Sequence, residues 1–125
     1  MIVLDASAVL ATLLGEAGGD FLKTVKVDCA ISTFNFAEVI SKLTEKGFTA
    51  AEAVLVASPF QDWCIPVSTG HAIQAGVWRM ETRRSGLSLG DRCCLALGLE
   101  LGADVYTTDR AWAALDLGVK VRVIR

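Results

Sequence analysis

Short apolar runs alternate along the chain with longer stretches that repeat their apolar positions with helical spacing. The run Ile2-Val3-Leu4 is continuous, which is typical of a strand covered on both faces. The pattern predicts five strands, at residues 2–4, 29–31, 63–67, 105–107 and 119–124. Strands that alternate with helices in this way favour an α/β fold, in which a five-stranded parallel sheet carries helices on both faces.

The stretches between the strands predict the helical layers. Their apolar spacing, together with Ser and Thr at the starts and Gly at the ends, predicts helices at 7–14, 20–25, 33–46, 50–60, 69–84 and 88–101. In the helix at 69–84 we expect Ile73, Val77 and Met80 to face the core. The helix that begins at Ser88 is apolar nearly all round, which predicts burial on several sides. A short helical turn is expected at 110–113.

The sheet edges are predicted by two further features. Pro66 removes a donor from the third strand and favours an edge position. The last strand alternates valines with Lys120 and Arg122, as an edge strand with one wet face does. The length suits a single domain over residues 1–125.

Composition narrows the function classes. Apolar residues make up 53% of the chain and charged residues 21%, as in a globular protein, and no run is long enough to span a membrane. The N-terminus lacks the basic start of a secretory signal, and the four cysteines form no C-x-x-C pair. We therefore expect a cytoplasmic protein with core thiols. The chain has a single histidine, which excludes histidine-rich metal sites. Its net charge of −2 means that any nucleic-acid contact must be local or metal-assisted.

Four acidic residues stand where a parallel sheet would bring them together. Asp5 and Asp109 follow strands, Glu38 lies early in the helix after the second strand, and Asp91 begins the buried helix. Ligands in such folds bind beyond the carboxyl ends of the strands. Structural alternatives stay open for three of them. Asp91 and Asp109 would then only cap local helical turns, and Glu38 would only pair with Lys42 on the helix surface.

Four clustered carboxylates repel each other, and nothing in the sequence supplies a matching set of cations. A hard divalent cation resolves the repulsion, because Mg²⁺ and Mn²⁺ prefer oxygen ligands. The chemistry that suits such a site is hydrolysis of a phosphodiester by a metal-activated water. The coincidence of four acids is more specific than any single one.

The sequence resembles the PIN-domain ribonucleases, and among them the VapC-like toxins of type II toxin–antitoxin pairs. The resemblance lies in VLDAS (residues 3–7), NFAEV (35–39), GLSLGDR (86–92) and VYTTDRAW (105–112), in the family's order. It implies a PIN-like α/β/α sandwich and an Mg²⁺- or Mn²⁺-dependent endoribonuclease. It also implies a small VapB-like antitoxin that blocks the site, and a toxin homodimer that forms a tetramer or larger assembly with it.

The resemblance also assigns the site residues. It implies that Asp5, Glu38, Asp91 and Asp109 are the catalytic and metal-binding acids, and that Ser7, Asn35 and Thr107 support them. The closeness of Arg83, Arg84 and Arg92 to Asp91 in the sequence suggests contacts with RNA phosphates. The alternative for the first two is that they are solvated charges near the end of a helix.

Three other protein classes compete with the nuclease. A signalling receiver would need an adjacent acidic pair after the first strand, and a phosphatase of the haloacid dehalogenase type would need Asp-x-Asp there. This chain has a lone Asp5 followed by Ala6 and Ser7. The third alternative is a catalytically silent PIN scaffold that binds RNA or a partner.

Overall fold

The computed structural model describes residues 1–125, and its strands form one five-stranded sheet. The strands are β1 (Ile2–Leu4), β2 (Cys29–Ser32), β3 (Cys64–Ile65), β4 (Asp104–Thr107) and β5 (Val121–Val123). They lie in the order β3-β2-β1-β4-β5, and every neighbouring pair is parallel. The predicted α/β fold is confirmed, and β3 and β5 occupy the two edges as their sequences predict.

Helices cover both faces of this sheet. They are α1 (Ala6–Leu14), α2 (Phe21–Thr24), α3 (Thr33–Glu45), α4 (Ala50–Ala57), α5 (Thr69–Val77) and α6 (Leu89–Leu101). Ile2 and Leu4 pack with α1, α3 and α4 on one face, whereas Val3 packs with α6 on the other. Because side chains alternate along a strand, β1 contributes to both cores and lies at the centre of the molecule. Asp5, the next residue, therefore lies at the carboxyl end of the central strand.

Helix α6 is buried along most of its length, as its apolar sequence predicts. The Ser88 hydroxyl accepts a hydrogen bond from the Asp91 N–H, and the Asp91 carboxylate accepts one from the Ser88 N–H. Gly102 ends the helix in the left-handed conformation, with φ of 59°. The predicted start and end of this helix are both confirmed, and the cap fixes where Asp91 lies.

The prediction for the helix at 69–84 is wrong in its end and in its buried face. Helix α5 ends at Val77, and Ile73, Val77 and Met80 are 63%, 63% and 66% exposed. The buried face carries a different set of residues: His71, Ala75, Trp78 and Thr82. That set has the same helical spacing, but it is hard to recognise as a buried face in the sequence because it includes a histidine, an alanine and a threonine. His71 contacts Glu100 of α6, and Thr82 donates to the Trp78 carbonyl, so the polar groups of this face are satisfied internally.

Three other elements are shorter than predicted. The helix expected at 50–60 ends at Ala57, and a 3-10 segment, Ser58–Trp63, follows it. Pro59 explains the change, since it lacks the N–H that continues an α-helix. The third strand is only Cys64–Ile65, and the last strand is only Val121–Val123. Each of these edge strands pairs with its one neighbour over just two or three residues.

The four cysteines form no disulfide; Cys29, Cys93 and Cys94 are buried, and Cys64 is partly buried. Burial raises the pKa of the Cys94 thiol well above its ordinary value. The prediction of core thiols is therefore confirmed for the first three. None of the six helices combines the length and apolarity that crossing a bilayer requires.

Candidate active site

The four predicted acids line one cleft at the carboxyl edge of the sheet. Its volume is about 410 Å³. Asp5 reaches it from the end of β1 and Asp109 from the end of β4, while α3 and α6 contribute Glu38 and Asp91. The remaining lining residues are Ala6, Ser7, Leu10, Lys42 and Thr108. Segments that are far apart in the sequence thus place four carboxylates around one opening.

Asp5 is the deepest of these acids, with only 5% of its surface exposed. Ser7 Oγ donates to Asp5 Oδ2 at 2.6 Å, and Thr107 Oγ1 donates to the same oxygen at 2.9 Å. The Thr108 N–H and the Asp109 N–H then donate to these two hydroxyls. This chain of bonds joins the ends of β1 and β4. The predicted supporting residues Ser7 and Thr107 therefore lie in direct contact with Asp5.

Glu38 is held by the third predicted supporting residue. Asn35 is fully buried, and its Nδ2 donates to Glu38 Oε1 at 2.7 Å and to the Gly90 carbonyl at 3.1 Å. Gly90 leaves the space that this contact needs, because a Cβ there would lie 2.6 Å from Glu38 Oε1. Lys42 pairs with Glu45 at 3.2 Å and not with Glu38, so the alternative of a Glu38–Lys42 surface pair is wrong.

Asp91 and Asp109 do cap helical turns, as the structural alternative predicts. Asp91 Oδ2 accepts from the Ser88 N–H at 2.8 Å, and Asp109 Oδ1 accepts from the Ala111 N–H at 3.0 Å. Both residues nevertheless line the cleft. The capping bonds fix the orientation of each carboxylate, so a structural role and a place in the site belong together here.

Each of the four carboxylates has one oxygen held by a donor of the chain and one that accepts no such bond. The held oxygens are Asp5 Oδ2, Glu38 Oε1, Asp91 Oδ2 and Asp109 Oδ1. Donors that fix one oxygen and leave the other available are typical of carboxylates that bind a ligand, since the fixed oxygen orients the free one.

The electrostatics of the cleft are those of crowded, partly dehydrated acids. The pKa of Asp5 is raised from 3.8 to about 6, chiefly by burial. The charges of Asp91 and Glu38 add to the rise, and the hydrogen bonds from Ser7 and Thr107 oppose it. Burial also raises the pKa of Glu38, with the charge of Asp91 adding to it. Asp91 has a raised pKa for the same first reason, with Asp109 as the charged neighbour. A bound cation would favour the ionised form of each carboxyl group and so act against the rise in its pKa.

The donor set fits a hard divalent cation, because the acidic side chains offer four free carboxylate oxygens, the ligand type that Mg²⁺ and Mn²⁺ prefer. In the arrangement of this structure, no three His, Cys, Asp or Glu side chains are grouped closely enough to hold a metal ion.

Of the three arginines predicted to contact RNA, two are exposed and one is buried. Arg83 and Arg84 are exposed on the 3-10 turn Arg83–Ser85 just before α6, and neither forms an ion pair. Arg92 is only 7% exposed, and its guanidinium donates to the carbonyls of Ala75 and Ser88 at 2.8 and 3.3 Å. The bond to Ala75 ties α5 to α6, which gives Arg92 a structural role in place of the expected RNA contact.

Lys42 is the cation that sequence reasoning missed. It is the one basic side chain among the residues that line the cleft. The available signal was its position one helical turn after Glu38, which puts both residues on the same face of α3. The sequence pattern made this pair look like an ordinary surface contact.

Comparison with solved structures identifies the fold. A toxin–antitoxin complex from Klebsiella pneumoniae is 17% identical, covers 100% of this chain and 98% of its own, and has a TM-score of 0.79. Mycobacterium tuberculosis VapC20, a sarcin–ricin loop cleaving toxin, is 21% identical over 96% and 99% of the two chains, with a TM-score of 0.78. DNA-bound VapBC from Salmonella typhimurium is 19% identical over the whole of both chains, also at 0.78.

Comparison at the sequence level gives the family. No curated protein sequence matches this chain. The profile of the PIN domain, in contrast, matches residues 2–117, a span that includes all four acids and nearly the whole sheet. The chain belongs to the PIN domain family.

Proposed function

We propose that this PIN domain is an Mg²⁺- or Mn²⁺-dependent endoribonuclease that hydrolyses RNA phosphodiesters. One observation carries the proposal: four carboxylates from four separate segments line a single cleft at the carboxyl edge of the sheet. Each of them keeps one oxygen without a donor from the chain. A structural role explains the held oxygens, but it does not explain why the four residues share a cleft.

Asp5, Glu38, Asp91 and Asp109 would hold the cation. When bound, the ion would activate water and stabilise the charge that develops on the phosphate oxygens. The remaining residues position these ligands. Ser7 and Thr107 fix the orientation of Asp5, and Asn35 fixes that of Glu38, at the distances given above.

The biological role that we propose is that of the toxin in a toxin–antitoxin pair. The supporting observation is the likeness in fold, over nearly the full length, to structures described as toxin–antitoxin complexes and to a toxin described as cleaving the sarcin–ricin loop. The proposed partners are an RNA substrate and a small VapB-like antitoxin. The proposed assembly is a toxin homodimer, extended to a tetramer or larger by the antitoxin, in the cytoplasm.

The proposal is tested by incubating the purified chain with ribosomal RNA in Mg²⁺ or Mn²⁺, and in EDTA. We expect internal cleavage that EDTA stops. Asp91→Asn and Glu38→Gln should abolish cleavage while circular dichroism shows an intact fold, because each change removes a ligand charge. Asp62→Asn, an exposed acid that does not line the cleft, is the matched control and should cleave normally. RNA binding without cleavage in any metal would favour the alternative of a catalytically silent scaffold.

A further inference from the structure

A second hollow lies on the exposed face of α3, directly beside the acidic cleft. Its volume is about 370 Å³, and it is lined by Phe34, Ala37, Glu38, Ser41 and Lys42. The spacing of these residues places them on one face of the helix. Glu38 and Lys42 line both the hollow and the cleft, so the two spaces are adjacent. We call this space the α3 hollow.

Phe34 gives the α3 hollow an exposed aromatic surface next to the acids. It lies in the first turn of α3, and its N–H donates to the Ser32 hydroxyl that caps the helix. Its ring lies against Gly90, where a Cβ would approach within 2.8 Å of it. The residue is nevertheless 37% exposed. A ring that is fixed on one side and open to solvent on the other is the kind of surface on which a nucleobase stacks.

Lys42 gives the same hollow a positive charge. Its only ion pair is with Glu45, and the two side chains are 58% and 64% exposed. An exposed pair of this kind holds the ammonium weakly, so Lys42 can exchange Glu45 for an RNA phosphate at little cost. Lys42 lines both the hollow and the cleft, so its flexible side chain can reach an anion in either. A phosphate that enters beside the four carboxylates needs a cation there.

We propose that the α3 hollow binds the nucleotide next to the scissile phosphate of a single-stranded RNA segment, with its base stacked on Phe34 and its phosphate paired with Lys42. The inference rests on the proposed nuclease function and adds a substrate subsite to it. An RNA nucleotide suits the hollow because a flat aromatic surface, a cation and the acidic cleft follow one another along one helix face.

The test measures binding of a short fluorescein-labelled oligoribonucleotide of randomised sequence by fluorescence anisotropy. All binding variants carry Asp91→Asn, so that the subsite is decided whether or not the wild-type chain cleaves RNA. Phe34→Ala should weaken binding by roughly 5- to 150-fold, which corresponds to about 1–3 kcal/mol for one stacked base. Phe34→Tyr should restore most of it. Lys42→Ala should lower the slope of log affinity against log salt by about 0.7, the value for one phosphate contact on a single strand.

Matched controls separate the subsite from general surface effects. Leu55→Ala removes an apolar side chain that is 73% exposed on α4, and Lys46→Ala removes an exposed lysine one turn beyond Lys42; neither residue lines the hollow or the cleft. Both should bind RNA like the parent. In the otherwise wild-type chain, Phe34→Ala should raise KM more than it lowers kcat on a fluorophore-quencher oligoribonucleotide. Binding by Phe34→Ala and Lys42→Ala at the level of these controls would overturn the proposal and leave the hollow to a partner protein.

Discussion

Asp5 combines two properties that rarely occur in one carboxyl group of a stable domain: it is almost completely buried, and it has no cation beside it. The two hydroxyls that donate to Oδ2 offset part of the cost of dehydrating the charge. They do not offset all of it, since burial still raises the pKa to about 6. Keeping Asp5 ionised at the cleft therefore lowers the stability of the fold near neutral pH.

The raised pKa of Asp5 predicts a specific dependence of stability on pH in EDTA. The folded chain holds this proton more tightly than the unfolded chain, whose pKa is 3.8. The stabilising contribution is thus fully present below about pH 4 and is lost as pH rises through about 6, by about 3 kcal/mol in total. Asp5→Asn should remove this loss, so the variant should unfold at higher urea concentration than the wild type at pH 7.

The measurement is urea unfolding at several pH values between about 4 and 7. The matched control is Asp62→Asn, because Asp62 is exposed and does not line the cleft. It should keep the wild-type dependence on pH. If Asp5→Asn lost stability over this range as steeply as the wild type, the burial of Asp5 would not be the cause.

At the scale of elements, the sequence predicted the parts of the fold that depend on strong local signals. The continuous run in β1 and the cap and glycine of α6 have few alternatives, and both appear where they were expected. The acids were predicted because the carboxyl ends of parallel strands share an edge. The buried face of α5 was not predicted correctly, because two sets of residues with helical spacing compete there. The set that contains only Ile, Val and Met is the exposed one, and packing against α6 decides between the two sets.

The cations were harder to predict than the acids. Arg84 and Arg92 are both close to Asp91 in the sequence, and this closeness does not distinguish their roles. Arg84 is exposed, whereas Arg92 lies between α5 and α6. Only the crossing of the two helices, which presents the Ala75 carbonyl to Arg92, separates them. Lys42 was assigned to the helix surface for a related reason, since the cleft beside it forms only when α1 and α6 pack nearby.

The turn that precedes α6 carries the next prediction. Arg83 and Arg84 are exposed and form no ion pair, so their charges are available to RNA phosphates near Asp91. Replacing both with Ala should weaken RNA binding and lower the salt slope by about 0.7 for each phosphate contact that is lost. The melting temperature should stay unchanged, because neither side chain is buried.

Salt titrations of RNA binding in the Asp91→Asn background measure this effect. Lys120→Ala is the control, because Lys120 is exposed just before β5, at the opposite edge of the sheet from the cleft. An unchanged salt slope in the double variant would make Arg83 and Arg84 ordinary surface charges, which is the alternative that the sequence left open.

At the scale of the whole molecule, the site and the stability of the fold are linked. The four acids come from the ends of β1 and β4 and from α3 and α6, so their mutual repulsion acts between the two helical layers and the sheet. The central strand and the buried helix α6 hold these segments together against that repulsion. A cation that binds only the folded chain would relieve the repulsion in all of these elements at once.

The last prediction is that Mn²⁺ stabilises the folded chain through this cleft. Near neutral pH the gain should be about 2.7 kcal/mol when the concentration of Mn²⁺ is about 100 times its Kd. Asp91→Asn should melt at a higher temperature than the wild type in EDTA, because one of the repelling charges is gone, and it should respond less to Mn²⁺. Scanning calorimetry of both chains, in EDTA and across a Mn²⁺ titration, measures the two effects together. An equal response of the two chains would place the ion elsewhere on the molecule, or would show that the four carboxylates do not act as one site.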